Sequence, residues 1–229
     1  MSGHSKWATI HRSKEVKDAK RGAIFTKLGR AISVAVRAGR GVEEAVDRAR
    51  QFNMPKENIS RAIERASGGE KLEEAMFEGF LPGGAAVLVQ TLSDNHLRTA
   101  QEVRGILDKG GGSLGSSGSV GYLFNQLGEL VVELKTNQPA DEQELAIIDL
   151  GVGDIAREEQ AWIIHCEPKH TFEVKNQLQH LGYQLVSAEL VMHPTALVEV
   201  AAETQAKIEA ILGKLEDLDD VQKVYTNYS

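Results

Sequence analysis

Ala85-Ala-Val-Leu-Val-Gln-Thr-Leu92 is an apolar and β-branched run interrupted by Gln90, and Ser93-Asp-Asn-His-Leu-Arg-Thr99 follows it directly. The first stretch predicts a buried strand. The second opens a helix over residues 95–109, with Ser93 or Asp94 placed to accept hydrogen bonds from its first free amides. A glycine-rich stretch, residues 110–121, then leads into a strand expected at 120–124. This β-α-β grammar decides the fold class of everything after about residue 72.

The same grammar returns at the far end of the chain. Residues 197–201 read as a strand, and 204–215 as an amphipathic helix carrying Ile208, Ile211, Leu212 and Leu215. Residues 221–228 read as a last strand. Joined, the two β-α-β pieces have the order of a split ferredoxin-like unit. The residues between them repeat it: strand 130–134, helix 141–150, hairpin 155–157 and 161–166, helix 171–181, strand 184–191. The expected class is therefore α+β, with two ferredoxin-like domains, one inserted into the other. Residues 72–127 and 194–229 form the discontinuous middle domain, and residues 128–193 the insert.

Before this comes a basic helical domain, residues 1–71. From residue 24 to 36 the apolar side chains Ile24, Phe25, Leu28, Ala31, Ile32, Ala35 and Val36 share one arc, and Lys20, Lys27, Arg30 and Arg37 fall opposite. Val42, Ala45, Val46, Ala49 and Phe52 repeat the helical spacing. Pro55 suits the first turn of a third helix bearing Ile59, Ala62, Ile63 and Ala66, which Gly68-Gly69 ends. Upstream the pattern breaks, because Lys14, Lys17 and Arg21 project onto the apolar stripe. Unpaired cations do not enter a small core, so residues 1–21 are expected to extend beyond the packed part.

The net charge of −7 conceals a division. Residues 1–71 hold 16 Lys and Arg against 8 Asp and Glu, leaving 10 bases against 25 acids in the remainder. A basic end on an acidic body is suited to meeting a polyanion in one orientation. Lysine and arginine give phosphate affinity through counterion release. His4, Trp7 and His11 are interleaved with Lys6 and Arg12, so Trp7 either stacks on unpaired bases or docks on the helices. The candidate contacts are Lys6, Trp7, Arg12, Lys14, Lys17, Lys20, Arg21, Lys27, Arg30 and Arg37.

Other chemistries find little support. With 41% hydrophobic and 26% charged residues the composition is that of a folded protein, and no apolar run approaches membrane-spanning length. Met1-Ser-Gly-His-Ser-Lys-Trp7 lacks the apolar run of a secretory signal. One cysteine, Cys166, forms no internal disulfide, so a cytoplasmic location is expected. The glycine-rich segment has no Lys-Ser/Thr pair and reads as a flexible connection. The seven histidines show no metal-ligand spacing, and no nucleophile elbow exists. Glu216-Asp-Leu-Asp-Asp220 reads as a solvated helix end. No metal, no cofactor and no catalytic residue is expected, and a monomer is.

The chain also resembles the YebC family. Gly3-His-Ser-Lys-Trp-Ala8, Asp18-Ala-Lys-Arg-Gly22 and Phe25-Thr-Lys-Leu28 match its opening signature. Asn53-Met-Pro-Lys-Glu-Asn-Ile59 with Arg61-Ala-Ile63, and Glu78-Gly-Phe-Leu-Pro-Gly-Gly84, continue the match. Ser93-Asp-Asn-His-Leu-Arg-Thr99 and Gly111-Gly-Ser-Leu-Gly-Ser-Ser-Gly-Ser-Val120 complete it. The likeness is close over residues 2–125 and rests mainly on element order thereafter.

The resemblance implies a helical amino-terminal domain and two α+β domains, one interrupting the other. It implies a non-enzymatic regulator of gene expression: bacterial members are described as DNA-binding transcriptional regulators. Members are also implicated in translation, as the mitochondrial activator of cytochrome c oxidase synthesis and as bacterial factors relieving ribosome stalling on proline runs. The partner it implies is DNA or ribosomal RNA, with the ribosome as a further candidate. Residue by residue, the basic signature falls on Lys6, Lys20, Arg21 and Lys27, and a middle-domain loop on Asp94, Asn95, Arg98 and Thr99. Two departures stand out: residues 38–42 are shorter than usual, and Leu97 replaces a common asparagine.

Overall fold

The computed structural model describes residues 18–39, 41–66 and 72–229. These contain seven α-helices and two four-stranded antiparallel sheets. They divide into two compact units, Phe124–Pro194 and the rest. No helix among the described residues is long and apolar enough to cross a membrane.

Helices α1 (Asp18–Ala38), α2 (Val42–Gln51) and α3 (Lys56–Ala66) open the chain. The expected stripe is their core: Leu28 and Ile32 of α1 meet Ala49 of α2 and Ile59 and Ala62 of α3, with Met54 closing the gap. Ile63, expected on the buried face, is 38% exposed. Ser33 Oγ donates to the Ala62 carbonyl at 2.8 Å, which fixes α1 along α3.

The first sheet has the order β3-β1-β2-β8, built from β1 (Glu73–Phe80), β2 (Ala86–Ser93), β3 (Ser113–Leu114) and β8 (Val221–Thr226). α4 (His96–Gly110) and α7 (Ala202–Glu216) cover one face. Alternate β2 residues Val87 and Val89 point at Val103 and Leu107 of α4 and at Ile208, Ile211 and Leu215 of α7. Each such side chain, fully buried, contributes about 2 kcal/mol.

This ferredoxin-like layout is threaded differently from the expected order. β1 precedes β2 and forms a hairpin with it, from Glu73↔Ser93 to Phe80↔Ala86. Residues 120–124 are not a strand of this sheet: Gly121–Leu123 is a short 3-10 turn. Residues 197–201 contribute only a single parallel bridge, Val198 to Tyr228.

The second sheet, β5-β6-β4-β7, keeps the ferredoxin-like order without change. Its chain order is β4 (Phe124–Glu133), α5 (Ala140–Ile148), β5 (Asp154–Arg157), β6 (Ala161–Cys166), α6 (Thr171–His180) and β7 (Leu185–Pro194). Leu130, Val132, Trp162 and Ile164 face Ile147 of α5 and Val174 and Leu178 of α6. The ends of this unit are neighbours, because Phe124 pairs with Pro194. Just outside, Thr195 N donates to the Leu123 carbonyl at 2.8 Å.

Candidate nucleic-acid interface

Of the ten candidate contacts, Lys6, Trp7, Arg12, Lys14 and Lys17 lie outside the described residues. Lys20 and Arg21 fall on the first turn of α1. The remaining three are engaged within the chain. The half-buried Lys27 ammonium donates to the Glu216 carbonyl at the end of α7. Burial pushes its pKa down, opposed by the nearby Glu216, Asp217 and Asp219 charges. Arg30 donates to Asp220 Oδ1. Arg37 Nε donates to the Ala66 carbonyl at 2.9 Å, satisfying the last turn of α3.

Of the four loop residues carried over from the family, Arg98 and Thr99 meet one acid that the sequence hid, and Asp94 and Asn95 bond Arg98. Asp220 is 4% exposed, not solvated as expected of an acidic helix end. Its carboxylate accepts from Ser93 Oγ at 2.9 Å, Thr99 Oγ1 at 2.7 Å and Arg98 Nη2 at 2.9 Å, besides Arg30. Burial alone would raise its pKa. The donors from Arg98, Thr99, Ser93 and Arg30 outweigh that and hold it at about 2. Asn95 caps α4 by accepting from Arg98 N at 3.1 Å, and Asp94 takes a second bond from Arg98 at 2.8 Å. Leu97, at the departure from the family pattern, is 79% exposed.

The glycine-rich segment is likewise organised rather than a loose connection. Glu78, on β1, accepts from the backbone amides of Gly118, Val120 and Gly121 at 2.7, 2.8 and 2.7 Å. Such a concavity of amides is an anion cradle, and here the protein's own carboxylate fills it. Burial works against the charged form, but the three amides prevail and the Glu78 pKa lies below its ordinary value.

Among the described residues of the helical part, Arg48, Arg50, Lys56, Arg61 and Arg65 are further exposed bases. An open depression along α3 is lined by Lys56, Glu57, Ser60, Arg61 and Glu64, a mixture of signs that favours neither phosphate nor catalysis. In the second unit His165 Nε2 lies 3.1 Å from Glu129 Oε2, both residues buried, a pairing that strand register sets and histidine spacing concealed. Among the described residues no three histidine, cysteine or carboxylate side chains are grouped so as to hold a metal ion.

Two family models account for nearly the whole sequence. The TACO1/YebC protein N-terminal domain matches residues 5–69, and the TACO1/YebC second and third domain matches residues 72–228. The chain belongs to the TACO1/YebC family. Among its relatives is a probable transcriptional regulatory protein of Thermoanaerobacter pseudethanolicus, 42% identical over 99% of this chain and 96% of that one. Another probable transcriptional regulatory protein, from Listeria monocytogenes, is 44% identical over 99% of this chain and 98% of its own length. The crystal structure of a conserved hypothetical protein from Aquifex aeolicus superposes with a TM-score of 0.85 at 39% identity. That superposition covers 93% of this YebC-family chain and 91% of the Aquifex protein.

Proposed function

We propose that the protein is a non-enzymatic, cytoplasmic, nucleic-acid-binding regulator that meets duplex DNA with its basic amino-terminal end. The observation that carries this reading is the charge division, 16 bases against 8 acids in residues 1–71 and the reverse imbalance beyond. The names of the relatives, probable transcriptional regulatory proteins, agree with it.

Lys6, Arg12, Lys14, Lys17, Lys20 and Arg21 are the first phosphate contacts, with Trp7 beside them. Arg98 is a further candidate contact: its half-exposed side chain shares Asp220 with Arg30 of α1. Asp94 and Asn95 hold that arginine in place, and Thr99 holds its partner Asp220. If six bases engage duplex DNA, log affinity falls with log salt at a slope of about −5. Fluorescence anisotropy of a labelled 20-base-pair duplex, titrated from low to high salt, tests this. A flat dependence removes the mechanism.

Ribosomal RNA is the second reading, favoured by the aromatic residues His4, Trp7 and His11 among the bases. Stacking needs unpaired bases, so a single-stranded RNA of equal length would then bind more tightly than the duplex. Ribosome co-sedimentation that survives nuclease trimming would assign the protein to translation, and discrete promoter footprints would assign it to transcription.

A further inference from the structure

We propose that residues 216–220 act as an internal substitute for phosphate. They occupy Lys27 and Arg30 of α1 and must be displaced before these two bases join the polynucleotide contact. The inference rests on the nucleic-acid reading above and concerns the regulation of that same surface.

The segment has the chemistry of a short polyanion. It combines the carbonyl end of α7, where the helix dipole is negative, with the carboxylates of Glu216, Asp217, Asp219 and Asp220. Glu216, Asp217 and Asp219 are exposed, and all three act on the Lys27 charge. Lys27 itself is held by a neutral carbonyl in a half-buried place that disfavours its charge. A phosphate oxygen is a stronger acceptor for an ammonium than that carbonyl.

Arg30 can leave without stranding its partner. Asp220 would keep the hydroxyls of Ser93 and Thr99 and the guanidinium of Arg98. A buried carboxylate that loses its only cation is costly, but this one retains a cation and two hydrogen bonds. Neither base belongs to the apolar cluster of the three helices, which rests on Leu28, Ile32, Ala49, Met54, Ile59 and Ala62. The contact is therefore built to be broken by a competing anion while the core persists.

The test uses the full chain and the labelled duplex. Glu216→Gln/Asp217→Asn/Asp219→Asn removes three exposed acids and leaves Asp220 alone. Glu142→Gln/Glu144→Gln/Asp149→Asn, on or just after α5, removes the same charge elsewhere. The first variant should bind about tenfold more tightly than wild type, within the usual range of a coupling between sites. Its salt slope should steepen by about 1 as Lys27 engages one more phosphate, Arg30 remaining on Asp220. The control should change little, and Lys27→Gln in the first variant should remove much of the gain. An equal gain in the control, or a gain that survives Lys27→Gln undiminished, overturns the inference. So does a first variant that binds like wild type while wild type keeps its slope of about −5. A flat salt dependence in wild type would instead strike the function itself.

Discussion

The guanidinium of Arg98 donates to the carboxylate of Asp220 at 2.9 Å, although 122 residues separate the two in the chain. The bond closes the first sheet around its own carboxy-terminal strand: Arg98 begins α4, and Asp220 immediately precedes β8. Replacing Asp220 by alanine removes an acceptor shared by two buried hydroxyls and two arginines, of which Arg98 keeps Asp94 and Thr99 the Asn95 carbonyl. The expected cost is about 3 kcal/mol, visible as a lower urea midpoint with unchanged slope. Arg30→Gln, which leaves the other three donors in place, should cost less than half as much.

The same carboxylate gives the stability a pH dependence. Its pKa is about 2 in the fold against 3.8 in an ordinary aspartate, so the folded state binds the proton less readily than the unfolded chain. The stabilisation, about 2 kcal/mol, is full above pH 4 and disappears as pH falls from 4 towards 2. The difference in stability between wild type and Asp220→Asn should shrink over that window and stay constant from pH 5 to 8.

Glu78 and the loop that wraps it offer a separate measurement. Glu78→Gln replaces one acceptor oxygen by a donor that faces backbone amides, and about 2 kcal/mol should be lost. Gly118, at φ +83°, supplies one of those amides from a conformation that side chains avoid. Gly118→Ala should cost about 1 kcal/mol. Hydrogen exchange at Gly118, Val120 and Gly121 should accelerate in both variants before any global change in the melting curve.

Two further glycines make a matched pair. A Cβ on Gly105, inside α4, meets nothing within 4 Å, so Gly105→Ala should stabilise by about 0.5–1 kcal/mol through helix propensity. A Cβ on Gly112 would lie 2.4 Å from the Phe80 carbonyl oxygen, where backbone must move. Gly112→Ala should lower the melting temperature by several degrees, as a loss of about 1–2 kcal/mol requires.

What could be read from the sequence divides along a physical line. Helix α4, the stripe on α1 and the second unit were legible because their apolar residues recur with the local period of the element. Strand β1 was not. Its residues Glu73, Glu74, Glu78 and Gly79 weaken any strand signal, and it exists because Ala86–Ser93 offers a complete edge to pair with. The roles of Glu78 and Asp220 were hidden for a related reason. Each is an acid beside sequence that looks solvated, and its donors come from 40 to 190 residues away. The basic surplus was legible, but not which bases the protein uses on itself. Nothing in a helical projection shows that Lys27 and Arg30 are engaged, and only the approach of α7 and β8 does so.

Phe124 and Pro194 face each other across one strand spacing, and Leu123 and Thr195 are already hydrogen-bonded outside them. The second unit thus enters and leaves through a single doorway, like a cassette held at one latch. A turn of a few residues could bridge that doorway, so excision of the cassette should leave the parent sheet with all four strands and both helices. Conversely, a foreign domain whose termini lie about 5 Å apart could be seated in its place.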